Sequence, residues 1–371
     1  MSDAPLAVDR RRSIIALWLA ILCAMVFVMV VLGGVTRLTH SGLSMVEWRP
    51  LTGWLPPMSE SEWRDTFSKY QQFPEYRELN YAMNLDGFKS IFWHEFLHRL
   101  WGRLIGVAFA LPFAVFALRG WLVDRHLTGR LVLAFVLGGL QGVLGWYMVK
   151  SGMTNEPDVS QYRLTAHLGA AFVIFGYLIW LALSLFRPGV RRVVEPGRRA
   201  FVRFAVVVTG LILVMALSGG FVAGLDAGFV YNTFPLMEGR LIPDYLFEST
   251  PWYINPFENI VTAQFVHRLL AVIVVAAVVM LWLRARRLAL NAGARHAVNL
   301  LALLTVTQAA LGITTLLLVV PVALGATHQA GAFVLFACAL WLIHTLSFTA
   351  AETEKETGLV EQEEAGDDTD D

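Results

Sequence analysis

Eight stretches of this sequence are apolar enough, and long enough, to cross a bilayer: residues 14–32, 100–118, 131–149, 164–185, 204–222, 266–283, 297–318 and 323–346. A helix crosses the hydrocarbon core with about 20 mostly apolar residues. Lipid offers a bare backbone no hydrogen bonds, so such segments satisfy their own N–H and C=O groups as helices. Composition agrees. Of 371 residues, 56% are hydrophobic and 16% charged, where a soluble domain carries about 25% charged residues. The sequence predicts an all-α integral membrane protein.

The formal charge of zero hides an asymmetry. Residues 352–371 hold ten acids and one lysine, which leaves 28 basic and 19 acidic residues elsewhere. Such a run reads as a solvated, disordered tail. Cys23 and Cys338 lie inside apolar runs, with no C-x-x-C, so neither a disulfide framework nor a thiolate metal site is expected. Arg10-Arg11-Arg12 precedes the first span, and no small-residue cleavage site closes that span cleanly, so it reads as retained.

Short-loop arginines set the orientation. Arg119, Arg125 and Arg130 lie between spans two and three. Arg187, Arg191, Arg192, Arg198, Arg199 and Arg203 lie between spans four and five, and Arg284, Arg286, Arg287 and Arg295 between spans six and seven. The alternate loops are poorer in basic residues. Both termini are therefore expected in the cytoplasm, with the loops after spans one, three, five and seven facing outward.

The chain is written twice. Gly33-Gly34-Val35 ends the first span and Gly219-Gly220-Phe221 the fifth. Phe96-Leu97-His98-Arg99-Leu100 returns as Phe265-Val266-His267-Arg268-Leu269, and the Gln141–Gly145 run as Gln308–Gly312. Thr165-Ala166-His167 returns as Ala326-Thr327-His328. The order of landmarks is the same, so the halves share topology about an axis along the membrane normal. The expected fold is eight transmembrane helices arranged as two pseudo-symmetric four-helix bundles. Its expected parts are a cytoplasmic segment 1–13, an N-terminal half 14–186, a basic linker 187–203, a C-terminal half 204–348 and the acidic tail 349–371.

The repeat bears on His94-Glu95-Phe96-Leu97-His98, which matches the H-E-x-x-H signature of zinc metalloproteases. Its echo is Ala263-Gln264-Phe265-Val266-His267, where only the second histidine persists. What both halves keep is one histidine opening the second span and one opening the fourth. His98, His167, His267 and His328 are each expected in or near a first turn, at one depth near the outer face. A histidine inside a membrane span is a functional hypothesis by default. Two imidazoles on facing helices of an apolar bundle suit the axial positions of haem iron. Arg99, Arg103 and Arg268 are candidate propionate contacts. A lone intramembrane histidine otherwise hydrogen-bonds between helices, which four positions matched two by two do not suggest.

The remaining histidines read differently. His344 is a satisfied core residue, His40 a loop residue, His126 and His296 are solvated, and His94 belongs to the outer loop. Gln141 and Gln308 fit helix gluing as well as a pocket contact. Glu95 stands where the repeat has Gln264, three residues before His98 and on nearly the same helical face. One half thus has an acid beside its histidines, which suggests one cofactor site and one reaction site. An ion pair with Arg99, four residues on, is the other role for Glu95, and both can hold together. The outer loop before His94 is rich in aromatics that fit either a cap on the N-terminal site or a membrane-interface belt.

From about Leu17 to Leu346 the sequence resembles the haem A synthase family. The resemblance rests on GGVTRLTHSGLSMVEW, HEFLHRLWGR, RLTAHLGAA, QFVHRLLA and ATHQAGA. The paired outer-loop cysteines of one branch are missing, so it is similar to the branch of mitochondria and their bacterial relatives. A disulfide-based redox step does not carry over. The resemblance implies oxidation of the C8 methyl of haem O to a formyl group, by successive hydroxylations and loss of water. It implies a haem b cofactor on His267 and His328, substrate haem O against His98 and His167, and Glu95 as the essential carboxylate. It also implies a haem O synthase and an electron donor such as a ferredoxin system as partners, and a role in cytochrome c oxidase assembly. The expected setting is the bacterial inner membrane, in contact with lipid and with no nucleic acid. A bis-haem electron-transfer protein is the alternative, and a membrane zinc protease that needs His94 a remote one.

Overall fold

In the computed structural model, residues 4–49, 52–153, 159–186 and 196–347 are described. Arg187, Arg191 and Arg192 of the basic linker, and the acidic tail, lie outside them. Eight long helices carry the expected spans: α1 (Ala4–Leu38), α3 (Leu85–Leu118), α4 (Arg125–Gly152), α5 (Gln161–Phe186), α6 (Arg199–Gly224), α8 (Ile260–Ala285), α9 (Ala292–Leu317) and α10 (Val322–Ser347). Two shorter helices, α2 (Glu60–Tyr70) and α7 (Asn255–Glu258), lie in the long loops. Several starts are written in side chains. Asn84, Asp124, Asn259 and Asn291 each accept a hydrogen bond from a first-turn amide, those of Gly87, His126, Thr262 and Ala294, at 2.8–2.9 Å.

The first half packs α1 against α3 and α5, with α4 on α5, and the second repeats this with α6 against α8 and α10 and α9 on α10. The halves join through α1–α10, α5–α6 and α5–α10. The central helices are the buried ones. Of the apolar window of α10, 61% is buried inside the protein, against 6% for α4, whose surface is left to lipid. At the junction Phe172 of α5 stacks on Phe333 of α10, with ring centroids 3.7 Å apart and both rings buried. Each lies five residues after a repeat histidine, so the pair marks the pseudo-twofold axis.

In lipid, helices associate by close packing and by polar groups that find partners across the interface. The indoles of Trp18 and Trp101 donate to the carbonyls of Ala108 and Met25, each at 2.8 Å, tying α1 to α3. Gln329 of α10 donates to Val30 O at 3.0 Å. Arg37 and Asp226, at the ends of α1 and α6, form an ion pair of 3.1 Å between the halves.

The helices outrun the expected spans, and two placements change. The Asn84 cap starts α3 well before residue 100, so His94 lies in a helix and not in the outer loop. His98 lies several turns inside α3, and His167, His267 and His328 lie in the second or third turn of theirs. The added turns of α3 are held by packing, not by lipid. Phe88, Phe92 and Phe96 are buried beneath Trp63, Phe67 and Tyr70 of α2 and the chain beside it. Counted from the opposite ends, the common depth holds: the four histidines precede Leu118, Phe186, Ala285 and Ser347 by 20, 19, 18 and 19 residues.

Candidate functional site

Each of the four histidines sits against a glycine of the preceding long helix. A Cβ built on Gly33 would stand 3.0 Å from His98 Cε1, and one on Gly145 3.0 Å from His167 Cε1. The same atom would stand 3.1 Å from His267 Cε1 if built on Gly219, and 2.7 Å from His328 Cε1 if built on Gly312. Real Cβ atoms avoid such contacts, so glycine is what lets each ring seat. These are the glycines of the repeat landmarks, and the seats explain why the motifs recur. Helices α5 and α10 are pinned alike. Gln141 donates to the carbonyl of His167 at 2.9 Å and Gln308 to that of His328 at 2.8 Å. The matched glutamines therefore join α4 to α5 and α9 to α10.

The two histidine pairs differ in what holds their rings. In the C-terminal half the imidazoles of His267 and His328 have centroids 6.5 Å apart and planes at 81°. Ser218 Oγ is hydrogen-bonded to His267 Nδ1 at 2.8 Å, and Gln308 Nε2 lies 3.2 Å from His328 Nδ1. In the N-terminal half, Nδ1 of His98 and of His167 are buried with no hydrogen-bond partner. A metal-ligating histidine binds through one nitrogen and is oriented through the other. All four residues are half-buried rather than sealed. The donor set fits haem in both halves, with Nδ1 already engaged in the second. Sequence reasoning passed over Ser218; the signal available was its place where the repeat has Leu32.

Glu95 is buried and ion-paired with Arg99 through a short contact. Its other oxygen accepts from Ser44 Oγ at 2.7 Å and from the Met45 amide at 2.6 Å. Arg99 also donates to the carbonyls of Met45, at 2.8 Å, and Glu47, at 3.1 Å. In the second half Gln264 donates to the carbonyls of Ala227, at 2.8 Å, and Val230, while Arg268 donates to Tyr231 O at 2.6 Å, Thr233 O at 2.8 Å and Gln264 Oε1 at 3.1 Å. Arg103 donates to Arg49 O at 2.9 Å. All three candidate propionate arginines thus also hold the long loops down at the mouths of the bundles. A cavity of about 210 Å³ opens there, lined by Trp48, Arg99, Trp146 and Lys150 among others.

Outside the bundle, Glu47 contacts Lys69 at 2.9 Å and pairs with Arg49, and Lys69 also contacts Asp65 at 2.9 Å. The hydrogen bond from Lys69 does most to hold the Glu47 carboxyl below its ordinary 4.5. Four of the remaining histidines lie away from these pairs. His344 is buried, 3.3 Å from Ser184 Oγ and edge-on to Trp180. His40 contacts Arg37 at 3.3 Å in the loop, and His126 and His296 are exposed. Cys23 and Cys338 are both free and buried.

Two facing histidine pairs, each in a glycine-seated four-helix half inside a membrane, define a polytopic membrane protein that handles haem. Known proteins narrow this class. The chain belongs to the cytochrome oxidase assembly protein family COX15-CtaA, whose model matches residues 16–340. It is 51% identical over 348 residues to "Heme A synthase" of Nitrosospira multiformis, covering 93% of this chain and 98% of that protein. It is 49% identical over 339 residues to "Heme A synthase" of Parvibaculum lavamentivorans, covering 91% and 96%. It is 47% identical over 339 residues to "Heme A synthase COX15" of Bos taurus, covering 90% and 82%.

Proposed function

We propose that this chain makes haem A, by oxidising the C8 methyl of haem O to a formyl group in its N-terminal half. The relatives carry haem A synthesis in their names. The observation that carries the division of labour is the contrast between the histidine pairs. Outer-shell partners of a ligating histidine raise metal affinity by about 10–100-fold. His267 and His328, with Ser218 and Gln308 at Nδ1, suit a resident haem b. His98 and His167 lack such partners, which suits a haem that must arrive and leave.

Haem bound in these pockets supplies the iron and its redox chemistry, and the protein supplies ligands, burial and orientation. Gly33 and Gly145 seat the substrate-side rings, and Gln141 fixes α5 against α4. Among the described residues Glu95, three before His98, is the acid placed beside a histidine pair, held as either a base for water or an anion facing developing positive charge. Arg99, Arg103 and Arg268, which pin the loops, would be the side chains to pair with the propionates of a bound haem. On this reading the chain lies in the bacterial inner membrane with both termini cytoplasmic and the histidines near the outer face, and the arginine-rich linkers support that orientation. A haem O synthase supplies the substrate, a ferredoxin-type donor the electrons, and terminal oxidase assembly takes the product.

The test is co-expression with a haem O source, followed by extraction and chromatographic separation of haems with mass detection, for wild type and Glu95→Gln. Haem A from wild type and trapped haem O in the variant are expected. Haem b alone in both overturns the proposal and leaves bis-haem electron transfer as the better account.

A further inference from the structure

The latches over the two pockets share one register and differ in polarity. Arg99 reaches the carbonyls of Met45 and Glu47, and Arg268 those of Tyr231 and Thr233. The first-half acceptors recur 186 positions later, the offset that also relates Gly33 to Gly219. Even the loop turns agree, with His40 and Asp226 at φ of 48° and 52°. Against this background two things change. Glu95 replaces Gln264, and Ser44 replaces Val230 at the same offset.

These changes belong together. The Gln264 amide donates, and the loop turns the carbonyls of Ala227 and Val230 toward it. A carboxylate only accepts. In the first half the loop instead turns donors inward, the Ser44 hydroxyl and the Met45 amide, onto one oxygen of Glu95. Arg99 takes the other oxygen. Ser44 is fully buried, so its hydroxyl has a structural partner to find, and valine at that position would leave the Glu95 oxygen with one donor fewer.

Building on the proposed reaction half, we infer that Ser44 is a positioning residue for Glu95. It fixes the carboxylate's orientation beside His98 and, through it, closes residues 41–49 over the N-terminal pocket. The C-terminal latch, with Val230 and Gln264, closes its own loop without an acid. Ser44 Oγ also lies 3.4 Å from the Ile91 carbonyl, a longer contact than the 2.7 Å to Glu95, so its effect runs chiefly through Glu95.

The test is a double-mutant cycle on the full-length protein in detergent. Ser44→Ala, Glu95→Ala and the pair are compared by deuterium uptake of the segment containing residues 41–49, and by haem A to haem O ratio after co-expression with a haem O source. Total bound haem and its absorption spectrum are recorded for each. Ser44→Ala is expected to speed exchange of that segment about tenfold and lower the haem A to haem O ratio about tenfold, the scale of a lost hydrogen bond to a charged group. Bound haem stays within about twofold, because the donor set is untouched. Ser44→Thr restores both, and Ser44→Ala adds little in the Glu95→Ala background, where no side-chain acceptor is left for the hydroxyl. Unchanged exchange, additive effects in the pair, or wholesale loss of haem from Ser44→Ala overturns the inference. If wild type makes no haem A, the proposed reaction fails, and the exchange cycle still decides whether Ser44 works through Glu95.

Discussion

The N-terminal and C-terminal pockets carry the same skeleton and treat it differently. Both set two histidines on glycines, pin the fourth span of the half through a glutamine, and draw a loop over the mouth with an arginine. In the C-terminal pocket polar atoms stand at both Nδ1 positions and the latch is neutral on its glutamine side. In the N-terminal pocket the Nδ1 atoms are bare and the latch holds an acid. Tight holding and chemistry are opposing demands on one binding site, because what binds product firmly also releases it slowly. On the proposed division, duplication lets each pocket meet one demand.

The largest effect that bears on this comparison comes from deleting a histidine in each half. His267→Ala is expected to empty the protein of resident haem and abolish product formation. His98→Ala keeps the resident haem, with its absorption spectrum, and yields no haem A. Equal haem loss from both variants, measured on purified protein, would erase the proposed division.

A smaller effect comes from the ring nitrogen alone. Ser218→Ala leaves both C-terminal ligands in place and removes the partner of His267 Nδ1. Retention of haem against an external haem-binding competitor is expected to fall by about 10–100-fold. Because Leu32 occupies the matching place in the first half, Leu32→Ala is expected to leave retention in the C-terminal half unchanged. A fall of similar size in both variants would break the comparison.

The smallest effect concerns the first-half loop cluster of Glu47, Lys69 and Asp65. The folded-state pKa of Glu47 is held below its ordinary 4.5, first by the hydrogen bond from Lys69. A depressed carboxyl contributes stability above its unfolded pKa and loses it as pH falls through the folded value. Limited proteolysis of the chain between α1 and α3 is therefore expected to quicken below about pH 4.5 in wild type. In Glu47→Gln that acid-dependent increment is expected to shrink, and an identical profile in the two would remove Glu47 from the account.

Much of this was legible in the sequence, and the failures have physical causes. Apolar length gave the eight spans, since the bilayer allows little else. The repeat gave the histidine pairs because it filtered HEFLH down to His98, the one histidine with an echo. The start of α3 was missed because hydropathy sees only lipid-facing turns, while the turns from Leu85 onward are held by α2 and its aromatic partners. Gly33 and Gly145 were visible as landmarks, but a glycine does not announce which ring it admits. Ser44 and Ser218 were harder still. A small hydroxyl is common in loops and helix ends, and only its mismatch against Val230 or Leu32 in the other half marks it. The ion pair of Glu95 with Arg99 follows from their spacing on one helix, whereas the donors from Ser44 and Met45 come from a loop that folds back over fifty residues.

Phe172 and Phe333 carry a further meaning. They are the same position in the two repeats, and they touch each other across the axis. A residue meeting its own counterpart is the mark of an isologous interface between identical subunits. The contact is the one that two separate half-length chains would make as a symmetric homodimer. In such a dimer every substitution appears twice, so an acid placed beside one haem is placed beside the other. A single chain carries no such constraint, because each half has its own codons and can change by itself.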